Sequence, residues 1–119
     1  MQYEYFYGAQ AEQFSFYRIP KALFTEPNFR ELSTDAKVLY GILLDRMSLS
    51  LKNQWLDAQN KVYIIFTVEE IMDALNCANQ KATRLMVELE KQAGLIERKR
   101  QGLGRPNLIY VKNFAATIN

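Results

Sequence analysis

Asn79-Gln80-Lys81-Ala82-Thr83-Arg84 brings amide, ammonium, hydroxyl and guanidinium groups together in one short run. Set along one exposed helix face, such groups hydrogen-bond to base edges in a DNA major groove. Further on, Arg98-Lys99-Arg100 and Arg105 put positive charge on or beside Gln101-Gly102-Leu103-Gly104-Arg105-Pro106-Asn107, with Glu97 alone opposing it. Cations on a projecting turn suit a phosphate backbone or a minor groove. The candidate nucleic-acid contacts are therefore Asn79, Gln80, Lys81, Thr83 and Arg84 in one group, and Arg98, Lys99, Arg100, Arg105 and Asn107 in the other. The plain alternative for both is a solvated charged surface.

Both groups need elements to hold them. Thr67-Val68-Glu69-Glu70 reads as a capping box that starts a helix, and Val68, Ile71, Met72 and Leu75 recur behind it at helical spacing. Asn76-Cys77-Ala78-Asn79 breaks the run, and a second helix is predicted from Gln80 to Gln92 with Asn79 as its cap. Ala82, Leu85, Met86, Leu89 and Ala93 form its apolar stripe. Gly94 stops the helix, Leu95-Ile96 open a strand that continues to Arg100, and Leu108-Ile109-Tyr110-Val111 return from a glycine- and proline-containing tip. Helix, tight turn, helix, strand, basic hairpin and strand is the order of a winged helix-turn-helix, whose second helix meets base edges with its N-terminal part. The predicted class is mainly α with a small antiparallel β-sheet (α+β), with the helix-turn-helix over residues 67–93 and the wing over 94–112.

The preceding residues supply the scaffold. Ser33 is the predicted cap of the longest helix, Asp35 lies in its first turn, and Ala36, Leu39, Tyr40, Leu43, Leu44 and Met47 give it a broad buried face. Core support is its expected role, with Lys37 as one further phosphate candidate. Residues 48–61 read as an irregular excursion anchored by Trp55, and Val62-Tyr63-Ile64-Ile65-Phe66 as a strand paired with the wing strands. Residues 1–30 form an aromatic N-terminal segment: nine of the fifteen aromatics fall within residues 1 to 29, too many for a disordered arm. The segment either packs on its own domain or docks on a second subunit. Phe16–Pro20 looks extended, and Lys21–Phe24 suits a single helical turn.

Composition narrows the chemistry. At 119 residues and 49% hydrophobic, the chain is expected to form one domain over residues 1–119. Its net charge of +2 is unevenly spread, at +5 from Asn79 to Lys112 and −3 over residues 1–78. There is no histidine and only Cys77, which excludes disulfides within the chain, Cys/His zinc sites and histidine-based catalysis. Glu69, Glu70, Glu88 and Glu90 read as ordinary helix-surface charges without a calcium-loop pattern, and no helix follows Gly102-Leu103-Gly104 as a nucleotide loop would require. No catalytic residue, cofactor or metal is predicted. No apolar run suits a membrane span and the start lacks a signal-peptide pattern, so a cytoplasmic protein is expected.

Three stretches in the same order carry a family resemblance: Phe16-Tyr17-Arg18-Ile19-Pro20-Lys21-Ala22-Leu23-Phe24; Leu32-Ser33-Thr34-Asp35-Ala36-Lys37-Val38-Leu39-Tyr40-Gly41 with Asp45-Arg46-Met47; and Gly94 through Asn107. In these the sequence resembles the N-terminal domain of the replication initiator A family of Gram-positive plasmids and mobile elements. The resemblance implies a winged-helix domain that binds repeats at a replication origin in double-stranded DNA, as a homodimer. Its DNA-contacting elements fall on Asn79, Gln80, Lys81, Thr83 and Arg84 and on Arg98, Lys99, Arg100, Arg105 and Asn107. It further implies that host replication proteins are recruited through a C-terminal domain missing from this sequence. Two other uses of the same fold are a transcriptional repressor and a protein interaction module built on the aromatic segment.

Overall fold

Ser33 begins the central helix in the way its sequence predicts: its hydroxyl accepts a hydrogen bond from the Ala36 amide at 3.2 Å. The computed structural model describes residues 2–9 and 13–115, so the predicted domain limits at residues 1 and 119 lie outside the described residues. Its helices are α1 (Ala22–Thr25), α2 (Thr34–Lys52), α3 (Val68–Leu75) and α4 (Asn79–Val87), with a 3₁₀ turn at Pro27–Phe29 and a π-helical turn at Glu88–Gln92 that extends α4. Strands β1 (Ile96–Lys99) and β2 (Leu108–Val111) pair antiparallel. Helix α2 continues through Lys52, taking in residues expected in the excursion.

The core lies where α2, α3, α4 and the sheet meet. Leu39 and Leu43 of α2, Ile71 of α3, Leu85 and Leu89 of the α4 region, and Ile96 and Ile109 of the sheet are all buried. Burying side chains of this size is the main source of stability, about 1.5–3 kcal/mol each relative to exposure. Gly41 lets the chain before α1 cross α2 closely, since a Cβ there would lie 2.9 Å from Ile19 Cγ1 and 3.0 Å from the Arg18 carbonyl oxygen. After β2, the Tyr40 hydroxyl donates to the Lys112 carbonyl at 2.8 Å and Phe114 packs edge-on against Phe29, fastening the end of the sheet to α2.

The expected five-residue strand at Val62–Phe66 is reduced to one bridge. Ile64 exchanges two 2.9 Å backbone hydrogen bonds with Ile109, while Val62 pairs with Leu56. The cause is local: the Asp57 side chain accepts from the Gln59 and Lys61 amides and folds the chain into its own small loop, so neighbouring residues take different partners. Trp55 closes that loop by stacking on Tyr63 with ring centroids 6.2 Å apart. Of the N-terminal segment, Leu23 and Phe29 join the core, whereas Tyr3, Tyr5, Phe6, Tyr7, Phe14, Phe16, Tyr17 and Phe24 are exposed.

Candidate nucleic-acid interface

The helix-turn-helix forms as its capping residues require. The Thr67 hydroxyl accepts from the Glu70 amide at 3.2 Å and the Glu70 carboxylate accepts from the Thr67 amide at 3.0 Å. Asn76 ends α3 in the left-handed conformation with φ 51°, which asparagine adopts more readily than most residues. The chain then enters α4 after a short turn. The cap of α4 is Ala78 and not Asn79: no side chain caps the helix, and Asn79 occupies its first turn, where its side-chain Oδ1 accepts from the Thr83 hydroxyl at 3.4 Å. An uncapped start leaves amide groups directed outward.

Ala82, Leu85, Met86 and Leu89 are buried, so the opposite face of the recognition helix is fixed. Asn79, Gln80, Thr83 and Arg84 are exposed on it, and Lys81 is half-buried. Val87 is also exposed, at 40%, one helical turn beyond Thr83 and Arg84.

Lys81 is held. Its ammonium lies 2.6 Å from Asp35 Oδ2 in the first turn of α2. Lys37, the additional phosphate candidate, is buried at the surface of α2 with its ammonium over the Phe24 ring at 4.6 Å, so it is withdrawn from that role.

Two carboxylates expected on the surface are structural. Glu88 is buried, and accepts hydrogen bonds from the Ser33 amide and, at 2.9 Å, from the Ser33 hydroxyl. It therefore satisfies the open N-terminus of α2, where negative charge is favoured. Glu90 faces the wing: Oε1 accepts from Arg98 Nε at 2.9 Å and Oε2 from the Arg98 amide at 3.0 Å. Burial alone would raise the Glu90 pKa, but these Arg98 hydrogen bonds and the guanidinium charge outweigh it and hold the carboxyl below its ordinary value. Leu89, between them, is fully buried, so three successive residues of the π-helical turn engage three surroundings.

The wing follows strand alternation. Ile96 pairs with Val111 and Arg98 with Ile109, and this face turns toward the helices; Lys99 and Leu108 lie on the other. Arg98 is thus an inward residue that joins wing to recognition helix. Lys99, Arg100, Arg105 and Asn107 are exposed. Among the described residues, Arg84, Lys99, Arg100 and Arg105 have no ion-pair partner. Arg105 and Asn107 share with Thr67, Val68 and Arg98 a cleft of about 270 Å³ between wing and α3. A separate, mostly apolar cleft of about 760 Å³ is lined by Tyr40, Leu44, Met47, Val62, Tyr110 and Phe114 among others, and by none of the ten candidate contacts. Among the described residues no cluster of ligating side chains could hold a metal ion, and no helix is long and apolar enough to cross a membrane.

A mainly helical domain with a two-stranded wing beside a helix-turn-helix is a winged helix-turn-helix. Residues 15–119 match the family model for the replication initiator protein A (RepA) N-terminus, and the chain belongs to this family. A solved structure described as "N-Terminal domain of DNA binding protein" is 39% identical, with a TM-score of 0.78 over 98% of this chain and 88% of that one. Another, described as "Structure of Rep-DNA complex", is 38% identical with a TM-score of 0.78 over 97% of this chain and 88% of that one. A third, "Structure of MDR initiator", is 40% identical with a TM-score of 0.75 over 96% and 89%. A 41 kDa protein of Lactobacillus helveticus is 32% identical over 92 residues, which are 77% of this chain and 26% of that protein. The chain thus spans about a quarter of the length of this relative.

Proposed function

We propose that this domain binds double-stranded DNA at repeats of a replication origin, as the N-terminal DNA-binding part of a plasmid or mobile-element initiator. The observation that carries the reading is the exposed N-terminal face of α4 beside a wing whose Arg100 and Arg105 have no ion-pair partner among the described residues, in a chain 38% identical to a solved structure described as a Rep-DNA complex. Asn79, Gln80, Thr83 and Arg84 read base edges, and Lys99, Arg100, Arg105 and Asn107 contact the backbone or minor groove. Lys81 and Arg98 act differently, each tied to a carboxylate. The domain is a binding module without catalysis and works in the cytoplasm.

The exposed aromatic segment supports a homodimer, since Tyr3, Tyr5, Phe6, Phe14 and Phe16 are each more than half exposed and an apolar surface of this size calls for a protein partner. Host replication proteins would be met through a C-terminal domain beyond this sequence. The test is fluorescence anisotropy against a duplex carrying repeats from beside the gene and a scrambled duplex, at several salt concentrations. A clear preference for the repeats with a steep salt slope supports the reading; absence of binding to either at low salt refutes it. Analytical ultracentrifugation of the chain and of Phe14→Ser/Phe16→Ser tests the dimer, which the double substitution should dissociate.

A further inference from the structure

The wing ends in an apolar side chain with nothing around it. Leu103 is fully exposed, at 106% of its reference area, with Gly102 and Gly104 on either side at φ 115° and 75°. Hairpin tips are normally polar, because a leucine there gains nothing from folding. This tip is also a closed structure. The Gln101 side-chain amide donates to the Pro106 carbonyl across its base at 2.8 Å, and the Arg105 amide donates to the Gly102 carbonyl at 3.3 Å. Leucine is thus presented at the end of a braced turn.

Its neighbours identify the partner. Arg100 and Arg105, both exposed and without an ion-pair partner among the described residues, flank the tip. Two cations around one aliphatic side chain complement the DNA minor groove, whose walls are phosphates and whose floor at A·T pairs lacks the protruding guanine amino group and leaves room for a side chain. Side chains such as leucine can also enter between base steps from that groove and partly unstack them. A protein partner would need a wider apolar surface than a lone leucine set among arginines.

We propose that Leu103 is a minor-groove contact of the DNA-bound domain, inserted at an A·T-rich step while Arg100 and Arg105 hold the phosphates on either side. This rests on the DNA-binding reading and adds to it a residue that acts by shape. An apolar contact releases no counterions, so its removal lowers affinity without changing the salt slope, whereas removal of a phosphate contact lowers both.

The experiment begins by selecting a duplex from a randomised pool with the wild-type chain. Wild type, Leu103→Ala and Arg100→Ala are then titrated against that duplex by anisotropy across a salt series. A second form of the duplex has A·T pairs under the wing replaced by pairs carrying the guanine amino group in the minor groove. Leu103→Ala should bind the selected duplex about tenfold more weakly, from the aliphatic area lost. Its salt slope should match wild type, while that of Arg100→Ala falls by about one. The blocked duplex should weaken wild type by a similar factor and leave Leu103→Ala nearly unchanged. Equal binding by wild type and Leu103→Ala overturns the proposal and leaves DNA binding standing. So does a shift of oligomeric state in Leu103→Ala without DNA, which would make the tip a protein contact. If wild type selects no duplex, the DNA-binding reading falls and Leu103 with it. A folding defect cannot imitate the result, because the side chain is fully exposed and melting temperatures should coincide.

Discussion

Replacing Arg98 with alanine should damage the fold first and DNA binding second, unlike replacement of its neighbour Arg100. The Arg98 guanidinium reaches Glu90 through Nε and Nη2, both at 2.9 Å, with side chains 25% and 15% exposed. Exposed ion pairs contribute about 0–1 kcal/mol. Breaking a fully buried one costs about 3–5 kcal/mol, because a charge is left without its partner. This pair lies between, and Glu90 would keep one hydrogen bond from the residue 98 amide, so the loss should be about 2 kcal/mol. For a chain of this size that lowers the melting temperature by roughly 8 °C.

Thermal unfolding followed by circular dichroism tests this directly. The pH dependence separates the ion pair from lost packing. Glu90 has a folded pKa below its ordinary 4.5, so its contribution is present above about pH 4.5 and fades as pH falls through the depressed folded value. The gap between wild type and Arg98→Ala should therefore be wide at neutral pH and narrow in acid. Arg100→Ala should melt with wild type and reduce the salt slope of DNA binding by about one. If Arg98→Ala melts within about 1 °C of wild type, or the gap is the same at every pH, Arg98 is no structural clamp and its assignment returns to the phosphate contacts.

Arg84→Ala should weaken binding to the repeat duplex by about 1–3 kcal/mol and binding to scrambled DNA less, and equal losses on both would remove its base-reading role. Asp35→Asn should raise affinity for scrambled DNA by freeing Lys81, and Lys81→Gln should matter much more in that background than alone; additive effects in this cycle would show that the 2.6 Å pair does not restrain Lys81. Burial pushes the Tyr40 phenol from 10.0 up to about 12, so it adds nothing to pH dependence below pH 10 and stability should fall as pH rises from 10 toward 12, a loss that calorimetry should find absent in Tyr40→Phe.

Much of this fold was legible because local chemistry and tertiary packing agree. Ser33, Thr67 and Glu70 cap the helices that their spacing predicts, and the apolar stripe of the recognition helix is the buried one. The misreadings arose where a side chain's partner lies far along the chain. Nothing near Glu88 in sequence reveals that it will meet the Ser33 amide, 55 residues away, at the start of another helix. Asp35 likewise looks like a first-turn acid favoured by the helix dipole, and its second role toward Lys81 depends on how α2 and α4 cross. Arg98 was within reach of sequence reasoning: period-two alternation from buried Ile96 places it inward, and only its grouping with Lys99 and Arg100 as one basic run hid this.

If the domain binds DNA as proposed, its held and free cations bear on how a module of modest net charge would favour one site. Free cations serve every duplex alike, since phosphates are the same in any sequence. In this chain Asp35 pairs with Lys81 and Glu90 with Arg98, so two of the ten candidate residues already have a carboxylate partner. Among the described residues, Arg84 on α4 and Lys99, Arg100 and Arg105 on the wing have no ion-pair partner. Glu88 and Glu90 fix the angle between these groups, because Glu88 ties the end of the α4 region to the start of α2 while Glu90 ties it to the wing. On the proposed reading a duplex would have to fit helix and wing in a set relation to gain both, so geometry would act beside total charge in setting the threshold for tight binding.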